Sequence, residues 1–139
     1  MLDMVEQETE RIDSRFLEPA CGDGNFLAEV LNRKLSVVDS RYRKSLSEWE
    51  KYAFVAVGSI YGVELLGDNV ANCRKRLFAI VKTHYEHIAK KSMSSDFLSA
   101  IEYVLGRNIL NGNALTLKTV DGNGADTDEP IIFSEWSIV

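Results

Sequence analysis

Proline and cysteine each occur only twice in this chain, and it has neither a basic excess nor a long apolar run. The two cysteines, Cys21 and Cys73, cannot build a disulfide framework or a zinc site by themselves, so a reducing compartment is expected. No apolar run approaches the roughly 20 residues that cross a bilayer. The stretch from Met1 to Glu10 is acidic and lacks the basic and apolar regions of a signal peptide, which predicts a cytoplasmic protein with no membrane partner. Acidic residues outnumber basic ones 21 to 16, a net charge of −5. Neutralising phosphates supplies much of the affinity for DNA, and this acidic chain has no evident surface for it. Its two basic clusters, Arg41-Arg43-Lys44 and Arg74-Lys75-Arg76, read as solvated helix faces. There is no Gly-Lys-Ser/Thr, so a P-loop is excluded, and there is no internal repeat.

What is present suits one domain around one core. Of the 139 residues, 45% are hydrophobic and 27% charged, ordinary values for a globular chain. Three segments are expected: a polar lead-in over 1–14, an α/β domain over 15–115, and an acidic loop with an apolar tail over 116–139. The domain is organised around Phe16-Leu17-Glu18-Pro19-Ala20-Cys21-Gly22-Asp23-Gly24-Asn25-Phe26-Leu27, which reads as a strand end, a glycine turn and a helix start. Gly22 and Gly24 can take positive φ and admit a ligand close to the backbone. Asp23 and Asn25 favour turns and helix caps. Such a turn aims free backbone N–H groups at whatever lies above it.

Apolar spacing predicts helices over 25–35, 47–57, 68–90 and 96–105, with Ser47-Glu48-Trp49-Glu50 fitting a capping box. Ile60 to Leu66 is nearly all apolar, as befits a buried strand of a parallel sheet. Glu64 breaks that pattern near the strand's end, with Leu65 and Leu66 beside it. A third strand over 108–115 ends in Asn111-Gly112-Asn113-Ala114-Leu115. Asp121 to Asp128 reads as a flexible acidic loop, and Phe133 and Trp136 as a tail packed on the core. His84 and His87 read as part of a solvated helix face, and Cys21 as a small packing residue.

Strands alternating with helices predict a doubly wound sheet, whose ligands bind outside the carboxyl ends of the strands. Each strand here ends in a polar feature. A carboxylate such as Glu64 can accept both hydroxyls of a ribose, at roughly 1.5–3 kcal/mol for each charged hydrogen bond. A dinucleotide turn starting at Gly22 would need glycine where Leu27 stands, and an acid about twenty residues on; Glu64 lies much farther along.

The Glu18–Leu27 string closely resembles motif I of S-adenosylmethionine (SAM)-dependent methyltransferases. It is nearest in wording to the N6-adenine DNA methyltransferases of restriction-modification systems. The resemblance covers about residues 15–115 and implies part of a Rossmann-like class I methyltransferase fold, with about three parallel strands and helices on both faces. It implies SAM as cofactor, held by Glu18, Pro19, Ala20, Cys21, Gly22, Asp23, Gly24 and Asn25 at the methionine end. Glu64 then stands at the motif II position on the ribose, with Leu65 beside the adenine. Asn113 and Ala114 stand at motif III, where the family commonly has Asp in place of Asn113 to read the adenine amino group.

The family's Asp/Asn-Pro-Pro-Tyr/Phe motif holds the target amine and stacks on the flipped base. Here Pro19 and Pro130 are not adjacent, so the motif is absent and the chain alone is expected to be inactive. DNA is a partner by resemblance only. Self-association or a complementary chain is expected, because one side of the first strand lacks a neighbour. The alternatives are a non-catalytic SAM-binding or assembly module, a truncated remnant, and an RNA or protein methyltransferase.

Overall fold

The computed structural model describes residues 11–136. Over these residues it is an α/β fold with a five-stranded mixed sheet and four helices. In chain order these are β1 (Phe16–Glu18), α1 (Asn25–Tyr42), α2 (Leu46–Gly58), β2 (Ile60–Glu64), α3 (Gly67–Ala89), α4 (Ser95–Asn108), β3 (Ile109–Asn113), β4 (Lys118–Val120) and β5 (Asp126–Pro130). A short 3-10 turn, Lys90–Ser92, joins α3 to α4. The strands lie in the order β1-β2-β3-β4-β5. The first three are parallel, with Leu17 opposite Tyr61 and Val63 opposite Leu110. The hairpin β4–β5 then adds antiparallel to β3.

This order corrects the expectation of helices on both faces. Right-handed crossovers that advance in one direction along a sheet place their helices on the same face. Two faces are covered only where the strand order reverses, and no reversal occurs among the described strands. Accordingly α1 packs on α2 and α3, while α4 packs on α2 and α3. Their shared core includes Leu27, Leu31, Trp49, Leu77, Tyr85 and Ile101, all fully buried. Trp49 stacks on Tyr85 at 5.4 Å and donates its indole N–H to Asp39 at 2.8 Å.

The opposite face carries extended chain. Ile131 lies against Gly112 of β3. Phe133 meets Tyr61 edge-on at 5.2 Å, and the Tyr61 hydroxyl donates to the Ser134 carbonyl at 2.8 Å. Trp136 closes over Gly58, between Phe54 and Tyr103. The tail is thus packed on the fold as the sequence suggested. The lead-in call falls mostly on residues 1–10, outside the described residues, as do 137–139.

Local chemistry moved several boundaries. The N-cap lies two residues earlier than the expected capping box: Ser45 caps α2 and accepts from the Glu48 N–H. That leaves Glu50 free to accept from the Tyr85 hydroxyl. The acidic loop is not a free loop but the turn of a hairpin. Asp121 Oδ1 accepts from the N–H groups of Asn123 and Ala125 at 2.8 and 3.1 Å, and Gly124 supplies φ +79. An Asx turn closed by glycine holds two strands together. The fully buried Lys34 of α1 donates to the carbonyls of Arg11, Ile12 and Ser14, fixing the chain as it enters β1.

Candidate functional site

The carboxyl ends of β1, β2 and β3 open on one crevice of about 330 Å³, at the lower end of the ~300–1,000 Å³ typical of small-molecule sites. Pro19 and Ala20 line it after β1, Glu64 and Leu65 after β2, and Gly112, Asn113, Ala114 and Leu115 after β3. Six of the residues singled out in the sequence are therefore brought together: Pro19, Ala20, Glu64, Leu65, Asn113 and Ala114. Leu65 and Leu115 are exposed and give the crevice an apolar rim.

Glu64 serves two ends. Its Oε1 accepts from the backbone N–H groups of Leu65 and Leu66, at 2.9 and 3.4 Å, and so holds the start of α3. Its Oε2 faces the glycine turn, 3.9 Å from where a β-carbon on Gly22 would stand. Among the described residues that oxygen accepts no hydrogen bond, whereas Oε1 accepts two. Asn111, which sequence reasoning passed over, pins this arrangement. With its amide nitrogen turned inward it donates to the Glu64 and Leu65 carbonyls, both at 2.9 Å. The signal was present in the strand, since side chains alternate and Asn111 shares a face with Ile109 and Asn113.

The glycine turn divides into two halves. Gly22, at φ +56, faces the Glu64 carboxylate. Gly24, at φ +92, is the N-cap of α1 and is buried against α3, where an added β-carbon would stand 2.8 Å from the Cys73 sulfur. Gly24 therefore admits a helix to the turn. Cys21 is buried and donates its N–H to the Val63 carbonyl at 3.0 Å. Asp23 and Asn25 are exposed and face Arg76 rather than the crevice: Arg76 binds Asn25 Oδ1 and lies 3.8 Å from Asp23. No side chain caps α1, so its first N–H groups are not claimed by a capping oxygen. Glu18 ends β1 and accepts from the Ala20 N–H at 3.3 Å.

Asn113 is occupied by its own turn. Its Oδ1 accepts from the Leu115 N–H at 2.9 Å, and its amide donates to Asp126 of β5 at 3.2 Å. The hairpin thus sets a carboxylate beside Asn113.

Two readings of charged residues are corrected by the geometry. Arg74 is not solvated, whereas Lys75 and Arg76 are exposed as expected. Arg74 donates to the Ile109 carbonyl at 3.0 Å and the Gly106 carbonyl at 3.1 Å, at the end of α4. Burial lowers its guanidinium pKa from the ordinary value. Arg41, Arg43 and Lys44 are exposed, as expected. His84 is not solvated either: it joins Asp39 at 2.6 Å and Asn32 at 3.0 Å, clasping α3 to α1. It borders a second cleft of about 450 Å³ between those helices. Several polar groups there bind one another, among them His84 with Asn32 and Arg76 with Asn25. Among the described residues no cluster of metal-ligating side chains occurs.

No family model, curated protein or solved structure matches the chain. Among the described residues no helix is long and apolar enough to cross a membrane.

Proposed function

We propose that the crevice binds S-adenosylmethionine, and that the chain is the cofactor-binding portion of a methyltransferase acting on an exocyclic amine of DNA, of the adenine-N6 type. The observation that carries this reading is the convergence of Pro19 and Ala20, of Glu64 and of Asn113, from three separate turns, on one space beyond β1–β3. In this reading the methionine carboxylate meets the uncapped start of α1, and its ammonium group is drawn to Glu18. The ribose hydroxyls donate to Glu64 Oε2. The adenine lies between Leu65 and the Asn113–Leu115 turn, with Asp126 near its amino group. Holding the donor methyl in line is the contribution such a half-site makes to catalysis.

A second reading, a SAM-binding module that completes its site with another chain, is favoured by the position of β1. In doubly wound sheets the ligand sits where the strand order reverses. Here the glycine turn follows an edge strand whose only neighbour among the described strands is β2. A strand added to the free edge of β1 would create that reversal and bring a second wall.

Isothermal calorimetry with SAM, its demethylated product and NAD tests the reading. Saturable binding of SAM and of the demethylated product, no binding of NAD, and a loss of at least tenfold in affinity for Glu64→Ala are expected. Failure to bind SAM by a folded chain overturns it.

A further inference from the structure

Two peptide groups at the end of β2 are held at both of their ends. A trans peptide is planar, and its C=O and N–H point in opposite directions. The Glu64 carbonyl and the Leu65 N–H belong to one such plane, and the Leu65 carbonyl and the Leu66 N–H to the next. Both N–H groups donate to Glu64 Oε1, at 2.9 and 3.4 Å. Both carbonyls accept from the side-chain amide of Asn111, each at 2.9 Å. Asn111 stands opposite Glu64 in the pairing of β2 with β3, and its two amide hydrogens match the two acceptors. Aspartate has the same shape but no such donors, and it would set a carboxylate against two carbonyls. Without the Asn111 amide the two planes are free to rotate, and Oε1 loses the donors that hold it. While they are held, Oε1 is committed to the backbone and Oε2 stays on the side of Gly22. Leu65, in the middle of this turn, lines the crevice together with Glu64.

We propose that Asn111 is a positioning residue for ribose recognition: through the two peptide planes it fixes the Glu64 carboxylate, and so gives the crevice its preference for a ligand with free ribose hydroxyls. This rests on the reading of the crevice as a SAM site, in which Glu64 accepts those hydroxyls. Asn111 itself acts from behind the carboxylate, on the backbone. A carboxylate already held in place loses little freedom when the ligand arrives, whereas a released one must be ordered again. Removing Asn111 therefore weakens ligands that carry both hydroxyls and spares those that carry neither.

The demethylated product of SAM and its 2′,3′-dideoxy analogue are titrated calorimetrically into the full chain. The wild type should prefer the hydroxylated ligand by roughly tenfold or more, as hydrogen bonds to a charged acceptor warrant. Asn111→Ala and the isosteric Asn111→Asp should cut that preference at least fivefold and leave affinity for the analogue within twofold of the wild type. Both residues act through one carboxylate, so adding Asn111→Ala to Glu64→Ala should cause no further loss. Equal losses for the two ligands would assign Asn111 to the fold alone, and an unchanged preference would leave it without a role; either result overturns the proposal. A wild type that binds neither ligand overturns the SAM reading itself, and one that binds both alike overturns only the ribose role of Glu64 and Asn111. A second measurement needs no variant and so survives poor folding of either one. In the wild type both Asn111 side-chain amide protons should exchange slowly with solvent by NMR, and more slowly still with the hydroxylated ligand bound but not with the analogue. Fast exchange, or equal slowing by both ligands, also overturns the proposal.

Discussion

Glu64 Oε2 lies 3.9 Å from the point where a β-carbon on Gly22 would stand. The gap between a strand-end carboxylate and a left-handed glycine is thus open on the protein's side, and any side chain on Gly22 would enter it. Gly22→Ala places a methyl group there at ordinary contact distance and forces φ +56 on alanine. The expected cost in stability is about 1–2 kcal/mol, with a loss of at least tenfold in SAM affinity. Gly24→Ala should behave differently, because its methyl group would collide with Cys73. It should unfold more readily and weaken SAM binding only through the loss of structure. Thermal melts and calorimetry on both variants separate the two roles. Equal SAM affinity for Gly22→Ala and the wild type would remove Gly22 from the site.

A buried amide is one of the groups that hold the extended tail. Asn108 is fully buried. It donates to the Gly58 and Ile60 carbonyls at 3.3 and 3.0 Å and accepts the Trp136 indole N–H at 2.8 Å. Asn108→Ala leaves buried polar groups on α2, β2 and the tail without partners. The expected loss is ~3 kcal/mol, read by urea denaturation. Trp136 should also become more exposed, which quenching of its fluorescence would detect.

Stability should fall at alkaline pH through Tyr85. Burial raises its pKa above the ordinary 10.0, and the bond to Glu50 adds to the rise. The folded state therefore holds the phenolic proton more tightly than the unfolded chain does. This contribution is fully present below the unfolded value of 10.0 and disappears as the pH climbs through the folded value. Tyr85→Phe should cost about 1 kcal/mol at neutral pH through the lost hydrogen bonds and flatten the alkaline decline. Denaturant midpoints measured across that range give the comparison; parallel profiles for the two proteins would show that Tyr85 is not the responsible group.

The free edge of β1 should promote association. Leu17 on that strand is 56% exposed, and unpaired strand edges with apolar side chains attract other chains. Light scattering should show an apparent mass that rises with concentration, and Leu17→Lys should suppress the rise while leaving SAM affinity unchanged. A monodisperse monomer at high concentration would count against a partner at this edge.

Much of the strand-end crevice was legible because its parts are local. The glycine turn, Glu64 ending an apolar strand and Asn113 in a polar turn each announce themselves within a few residues. The roles of Arg74, Arg76 and His84 were not legible. Their helix reads as polar along those faces, and their partners lie 32 to 52 residues away in sequence. Gly24 looked like a ligand glycine, and only the approach of α3 shows that it makes room for Cys73. The hairpin after β3 was missed because Asp121–Asp128 is polar enough to be loop, while its pairing needs the edge of β3 as a template.

By itself the sequence determined the alternation of strands and helices, since apolar spacing and turn residues act over a few positions. It also determined which turns carry polar groups and that the chain is acidic. Only the tertiary structure decided that three turns share one crevice and that the helices gather on one face. It also decided that the tail covers the other face. These outcomes depend on the direction in which parallel strands are added and on contacts between distant residues, which no local pattern encodes.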